Sequence, residues 1–105
     1  MANFVLVYTG GDDTTQMTED QQNAVMADWT AWYGKMADKV VDGGNPFSGS
    51  KTLNANGVHD GAGDKPLTGY TVISADSLDA ATELVKDHPH LKHNGEVTIY
   101  ETFEM

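Results

Sequence analysis

The sequence predicts an α+β protein with the ferredoxin-like βαββαβ arrangement, an antiparallel sheet that carries two helices on one face. Short apolar runs typical of strands alternate with two helical patterns, and their order along the chain is strand, helix, strand, strand, helix, strand. The 105 residues predict a single domain that spans residues 1–105. Because both helices cover the same face, the other sheet face must be solvated or must pack on a partner.

The first strand and the first helix have clear boundaries. Residues 4–8 form an apolar, β-branched run that stops at Gly10. Thr18 and Gln21 have the spacing of a capping box, so a helix should begin at Thr18 and end near Asp38. Apolar residues then recur three and four positions apart and define one face of this helix. They are Val25, Met26, Trp29, Trp32, Tyr33 and Met36.

The segment "VVDGGNPFSGSKT" raises the question of a nucleotide site. A phosphate-binding loop needs Lys directly after its second glycine, but Ser50 separates Gly49 from Lys51, and no helical pattern follows. The segment is therefore interpreted as a second strand that starts at Val40, is kinked by its glycines and Pro46, and resumes over residues 50–53.

The second half predicts the remaining elements. The side chains of residues 69–74 would alternate between the two faces of a sheet, which predicts a strand. Asp76 is the predicted N-cap of the second helix, and Pro89 should end it. Residues 96–103 alternate again and form the last strand. Because Tyr8, Tyr70 and Tyr100 can contribute to either sheet face, a sheet-to-sheet dimer is compatible with the pattern.

Composition excludes several classes of function. The chain has 16 acidic residues, 6 lysines and no arginine, and its net charge of -10 disfavours nucleic acid and anionic membranes as partners. The lack of cysteine excludes disulfides and thiolate chemistry. The N-terminus does not read as a signal peptide and no run is long enough to span a bilayer, so a cytoplasmic location is expected.

Histidines cluster in "HPHLKH", which contains His88, His90 and His93. Three histidines are a candidate zinc site, but no two of them are four residues apart on a regular helix. We expect exposed histidines in a loop after the second helix, with neither a metal nor another cofactor bound.

The chain resembles the YCII-related domain family over nearly its whole length. The resemblance rests on the opening strand, the helix that leads to "NPF", "LTGY" before a strand, and "ADSLDAATELVKDHPHL" with "GEVTIYETF" at the end. It is most specific at Gly69 and Tyr70, followed by a capped helix, a proline stop and a final strand. It implies a ferredoxin-like fold whose chains pair through their sheets as a dimeric α/β barrel.

The same resemblance bears on catalysis. Some members of the family are thought to use a His–Asp pair with the His on the first helix, and one branch removes chloride from a chlorinated aromatic ring. Here Trp29 or Asp28 stands where that His is expected, and Asp38 lies near the position of the Asp. The Asp-Gly-Pro-Phe motif of many members is also missing, so the resemblance implies no dyad at these positions.

We therefore predict a homodimeric module with a small-molecule cleft between the first helix, the kinked strand and the sheet. Trp29 and Phe47 would form apolar walls, and Asn45, Ser50 and Tyr70 would supply hydrogen bonds to a small, aromatic ligand. In the alternative structural interpretation, these residues only pack the helix on the sheet.

Two other functions are carried as alternatives. One is a lyase or isomerase, which needs a titratable group in the cleft; Asp28, Asp38 and His59 are the candidates, none with a visible partner. The other is a dimeric accessory protein that acts through a protein partner, for which the sequence offers no specific signal.

Overall fold

The computed structural model describes residues 2–11, 16–63 and 66–103, so the predicted loops around residues 12–15 and 64–65 lie partly outside the described residues. The elements are β1 (Ala2–Gly10), α1 (Glu19–Lys35), β2 (Val40–Asp42), β3 (Lys51–Asn54), β4 (Gly57–Asp60), β5 (Leu67–Ala75), α2 (Leu78–Val85), α3 (Pro89–Lys92) and β6 (Gly95–Glu101). No helix in these ranges combines the length and the apolar character needed to cross a membrane.

The main sheet has four strands in the order β2-β5-β1-β6, and each neighbouring pair is antiparallel. Residues of α1 and α2 join the inner residues of this sheet in one core, which includes Phe4, Leu6, Ile73, Met36 and Val85. The structure is therefore an α+β protein with an antiparallel sheet and helices, and it is consistent with the predicted ferredoxin-like fold.

The helix starts depend on local hydrogen bonds. The predicted capping box at the start of α1 is confirmed: the Gln21 amide donates to Thr18 Oγ1 at 3.2 Å, and the Thr18 amide donates to Gln21 Oε1 at 2.9 Å. The cap of α2 is Ser77 rather than Asp76, because Ser77 Oγ accepts from the Ala80 amide at 3.0 Å, three residues on. Helix α1 ends at Lys35, before the predicted limit.

The second strand is irregular at Val41, before the predicted kink at the glycines and Pro46, and it does not resume. Its pairing with β5 shifts register between Val40 and Asp42, and Pro46 then forms an isolated bridge with Gly69. Strands β3 and β4 instead form a separate two-stranded hairpin of exposed residues. The physical reason is local: the tight turn between Asn54 and Gly57 pairs this segment with its immediate successor.

The prediction of exposed histidines is wrong for all three, since His93 is half-buried and the other two are buried. His88 is fully buried and His90 is only 8% exposed. Pro89 ends α2 but also begins the short helix α3, because proline is favoured in the first turn of a helix. This extra turn folds the histidines towards the sheet, which accounts for their burial.

The sheet face opposite the helices carries apolar side chains. Strand alternation directs Phe4, Leu6 and Tyr8 to the helices and places Val5 and Val7 on the other side. Val5 lies opposite both Val72 and Tyr100 in the neighbouring strands. We call this surface of β1, β5 and β6 the open face.

Candidate functional site

A cavity of about 830 Å³ opens between α1, the segment at residues 43–46 and the helix-bearing side of the sheet. Residues of β1, β5 and the histidine segment complete its wall. Its volume falls in the range of sites that hold small molecules, and its wall is predominantly apolar. It is therefore the candidate ligand site.

The structure brings three of the five predicted binding residues to this cavity. Trp29, Asn45 and Tyr70 line it, whereas Phe47 and Ser50 are not among the described lining residues. Phe47 stacks on the Tyr70 ring, with centroids 5.7 Å apart, and Ser50 uses its carbonyl to accept from the Gly61 amide at 3.1 Å. The last two residues thus lie beside the cavity segment rather than in the wall.

Three aromatic side chains form one wall, which we call the aromatic wall: Tyr8, Trp29 and Tyr33. The Trp29 ring meets the Tyr8 ring edge-on, at 5.3 Å between centroids, and lies 6.1 Å from the Tyr33 ring. Trp29 is only partly buried, although it packs against the core. It therefore packs α1 on the sheet and at the same time presents apolar surface to the cavity.

A network of hydroxyl groups holds the aromatic wall in place. Tyr8 Oη donates to Thr71 Oγ1 at 2.7 Å, and Tyr33 Oη lies 2.8 Å from the same atom. Tyr33 Oη and Thr71 Oγ1 also reach the Gly43 carbonyl, at 3.0 and 3.2 Å. Burial raises the pKa of Tyr8, so its hydroxyl stays protonated at neutral pH. The network joins β1, α1, β5 and the glycine segment.

His88 extends this network into the core. Its Nδ1 accepts from the His90 amide at 3.0 Å, so the proton of the neutral ring lies on Nε2, which is 3.0 Å from Tyr8 Oη. Burial lowers the pKa of His88 to about 4, so the ring is neutral at physiological pH. His88 is thus a core side chain that orients Tyr8.

His90 lines the cavity between two glycines. Its Nε2 lies 2.9 Å from the Thr9 carbonyl oxygen. A Cβ on Gly95 would lie 2.1 Å from this same nitrogen, and a Cβ on Gly11 would lie 2.8 Å from Cε1. The His90 ring therefore fits here because positions 11 and 95 are both glycine and have no side chain.

Asp28 has a partner that the sequence did not show. His93 lines the cavity, and its Nε2 lies 3.4 Å from Asp28 Oδ2. The other two titratable candidates lie elsewhere: Asp38 is exposed beside Lys39, and His59 is on the hairpin strand β4. The pair was missed because its members are 65 positions apart, and nothing local in the sequence links them.

No metal cluster is formed by the residues that the structure describes: no three His, Asp or Glu side chains among them are arranged to hold an ion. His88 and His90 make protein hydrogen bonds instead, and His93 pairs with Asp28. What the site offers chemically is an apolar, aromatic cavity with imidazole groups along one side.

Comparison with known proteins adds a structural likeness. The chain matches no protein-family model and no curated protein sequence. It is similar to the solved structure of 5-chloro-2-hydroxyhydroquinone dehydrochlorinase from Burkholderia phenoliruptrix AC1100 in complex with 2,5-dihydroxybenzoquinone, with a TM-score of 0.59 and 17% identity over 97% of this chain and 93% of that chain. At this identity the likeness shows a related fold and no more. Membership of the YCII-related family stays a prediction.

Proposed function

We propose that this protein is a homodimeric small-molecule-binding protein of the YCII-related type whose cavity holds a small aromatic compound. The observation that carries the proposal is the aromatic wall, which lines a cavity of ligand size with the apolar surface of three rings. Aromatic rings pack favourably against such walls in stacked or edge-on geometry, and the contact adds to the effect of burial.

The charge of the protein indicates which ligands the cavity can hold. The chain has no arginine, and no lysine occurs among the described residues that line the cavity. Since the protein also carries a net charge of -10, an anionic ligand would be repelled without a local counter-charge. A neutral aromatic compound fits this site better. The similar dehydrochlorinase is named for a chlorinated hydroquinone, which is an aromatic compound, and this supports the aromatic class by analogy of fold.

Replacing Trp29 with leucine tests the cavity. We expect hydroquinone to bind the wild-type protein with a dissociation constant of roughly millimolar or tighter, as is usual for a ligand of so few atoms. Trp29→Leu should weaken this binding by about tenfold, because it removes the ring surface and keeps an apolar side chain. Isothermal titration calorimetry under argon measures both values.

Trp32→Phe is the matched control, since Trp32 is buried in the core and does not line the cavity. The affinity of folded Trp32→Phe protein should equal that of the wild type. Equal losses in both variants, or no binding to the wild type, would contradict the proposal. Thermal melts of each variant establish that the folded state is being compared.

The homodimer is proposed to form through the open face. It is supported by the apolar Val5, Val7 and Val72 on a surface that no helix covers, and by the resemblance to a family whose sheets pair as a dimeric α/β barrel. Tyr100, 58% exposed on the same face, is a residue type enriched in interfaces.

A single lysine on the open face tests this pairing. We expect wild-type protein to be a dimer in light scattering and native mass spectrometry, and Val7→Lys to be a monomer, because the substitution would bury an unpaired charge between the sheets. Val58→Lys, on the exposed hairpin, should stay dimeric. A wild-type monomer would overturn the proposed pairing.

A second candidate function, a lyase or isomerase, is favoured by the contact between His93 and Asp28 at the cavity. A carboxylate can orient an imidazole that accepts a proton from a substrate. The substrate to try is the chlorinated hydroquinone that the similar dehydrochlorinase acts on. If turnover is found, His93→Gln should reduce kcat by about a hundredfold or more. Turnover that persists in both His93→Gln and Asp28→Asn would exclude this pair.

A further inference from the structure

We propose that Nδ1 of His90 accepts a hydrogen bond from a hydroxyl group of the aromatic ligand, so that the cavity selects hydroxylated aromatic compounds over their ethers. This inference rests on the proposed function of the cavity. To the apolar wall it adds a polar group, and this group defines the class of ligand.

The protonation of the ring follows from its neighbours. Nε2 lies 2.9 Å from the Thr9 carbonyl oxygen, which can only accept, so Nε2 carries a proton. In a neutral imidazole the other nitrogen, Nδ1, is then an unprotonated acceptor. No hydrogen bond reaches Nδ1 from any of the residues that the structure describes. Nδ1 is not a fully buried atom, since Trp32 Nε1 is the one buried side-chain nitrogen or oxygen without a partner among the described residues, so a ligand in the cavity can reach this lone pair.

The ring is also held in one orientation. Gly95 and Gly11 both lie so close to the ring that a Cβ at either position would come within 2.8 Å of a ring atom or nearer. The His90 ring lies 5.3 Å from the Tyr8 ring and 6.1 Å from the Trp29 ring. An aromatic ligand on the aromatic wall therefore lies within reach of the imidazole.

Several polar groups close to His90 already have partners. The Tyr8 and Tyr33 hydroxyl groups bond to Thr71 and Gly43, and His93 pairs with Asp28. His88, the titratable group bonded to the His90 amide, is buried and uses Nε2 towards Tyr8. These contacts leave Nδ1 of His90 as an acceptor that a ligand beside the aromatic wall can use. No lysine occurs in the described lining, so the matching ligand group is a neutral donor.

The test compares hydroquinone with hydroquinone dimethyl ether, which keeps the ring and both oxygens but has no hydroxyl proton. Wild-type protein should bind hydroquinone about tenfold more tightly in calorimetry under argon, the ratio expected for one net hydrogen bond. His90→Leu should bind the two compounds about equally. His59→Leu, which removes an exposed histidine on the hairpin, should keep the wild-type ratio.

A second measurement does not depend on any variant folding. Long-range proton–nitrogen NMR spectra show which ring nitrogen carries a proton, and the free protein should show His90 protonated at Nε2 alone. Hydroquinone should shift the Nδ1 resonance, whereas the ether should not. A proton on Nδ1 in the free protein would overturn the inference.

The outcomes separate this inference from the proposed function. If hydroquinone and the ether bind equally and leave the Nδ1 resonance unchanged, the cavity still binds aromatic compounds, but the role of His90 is wrong. If neither compound binds, the proposed function fails and this inference fails with it.

Discussion

Gly44→Ala should destabilise the protein by roughly 3 kcal/mol or more, the size of effect that backbone strain and a core clash produce together. Gly44 has a φ of 74°, which L-residues with a Cβ rarely adopt. A Cβ at this position would lie 1.7 Å from the Tyr70 carbonyl oxygen and 2.6 Å from its carbonyl carbon. These are backbone atoms of β5, so the clash is relieved only by moving the strand or the cavity wall.

The neighbouring glycine supplies the control. A Cβ on Gly43 would meet no described atom within 4 Å, and its φ is not in the positive range. Gly43→Ala should therefore change the free energy of unfolding by no more than about 0.5 kcal/mol. Urea denaturation followed by circular dichroism measures both variants. Equal losses at the two positions would show that Gly44 is not held against β5 as described.

Low pH should lower the free energy of unfolding because His88 is neutral in the native state and protonated in the unfolded state. Burial holds the pKa of His88 near 4, whereas an unfolded histidine titrates near 6.5. Between these values the unfolded state binds a proton that the native state does not, so the free energy of unfolding falls as the pH is lowered through this window. The full loss is about 3 kcal/mol, because each pKa unit corresponds to about 1.4 kcal/mol. Above pH 6.5 this contribution is fully present.

The measurement is a series of urea titrations between pH 7 and pH 4, with His88→Asn as the comparison. Asparagine keeps an acceptor for the His90 amide but has no proton to bind. The variant should be less stable at neutral pH, since it loses the contact with Tyr8. The slope of its free energy of unfolding against pH should be smaller than that of the wild type, by an amount that corresponds to at most one bound proton. An identical pH dependence in both proteins would rule out His88 as the titrating group.

Much of the fold could be predicted because its signals are local. The capping box at Thr18 is a property of a few neighbouring residues, and the strand and helix periods give the order of the elements. The hairpin after residue 50 was misassigned because a run of alternating residues does not say which strand it pairs with. Pairing of that kind is decided by the turn and by the rest of the sheet.

The site was only partly predictable for the same reason. Trp29, Asn45 and Tyr70 line the cavity, and the sequence drew attention to them through its aromatic residues and its glycine-rich segment. Their role in binding stays a prediction. The contacts that shape the wall join Tyr8 to His88 across 80 positions and His90 to Thr9 across 81 positions. No periodicity indicates such contacts, so the sequence predicts surface histidines, whereas two of them are buried.

The fit of the His90 ring against Gly95 has a consequence for how this protein can change over evolution. With the imidazole in place, alanine at position 95 is blocked by the ring nitrogen that would lie 2.1 Å away. Once the ring is replaced by a smaller side chain, that obstacle disappears, so the cost of one substitution depends on the other. The two positions should therefore drift as a pair: a lineage that gives up the imidazole becomes free to lose the glycine, and then cannot easily regain the histidine.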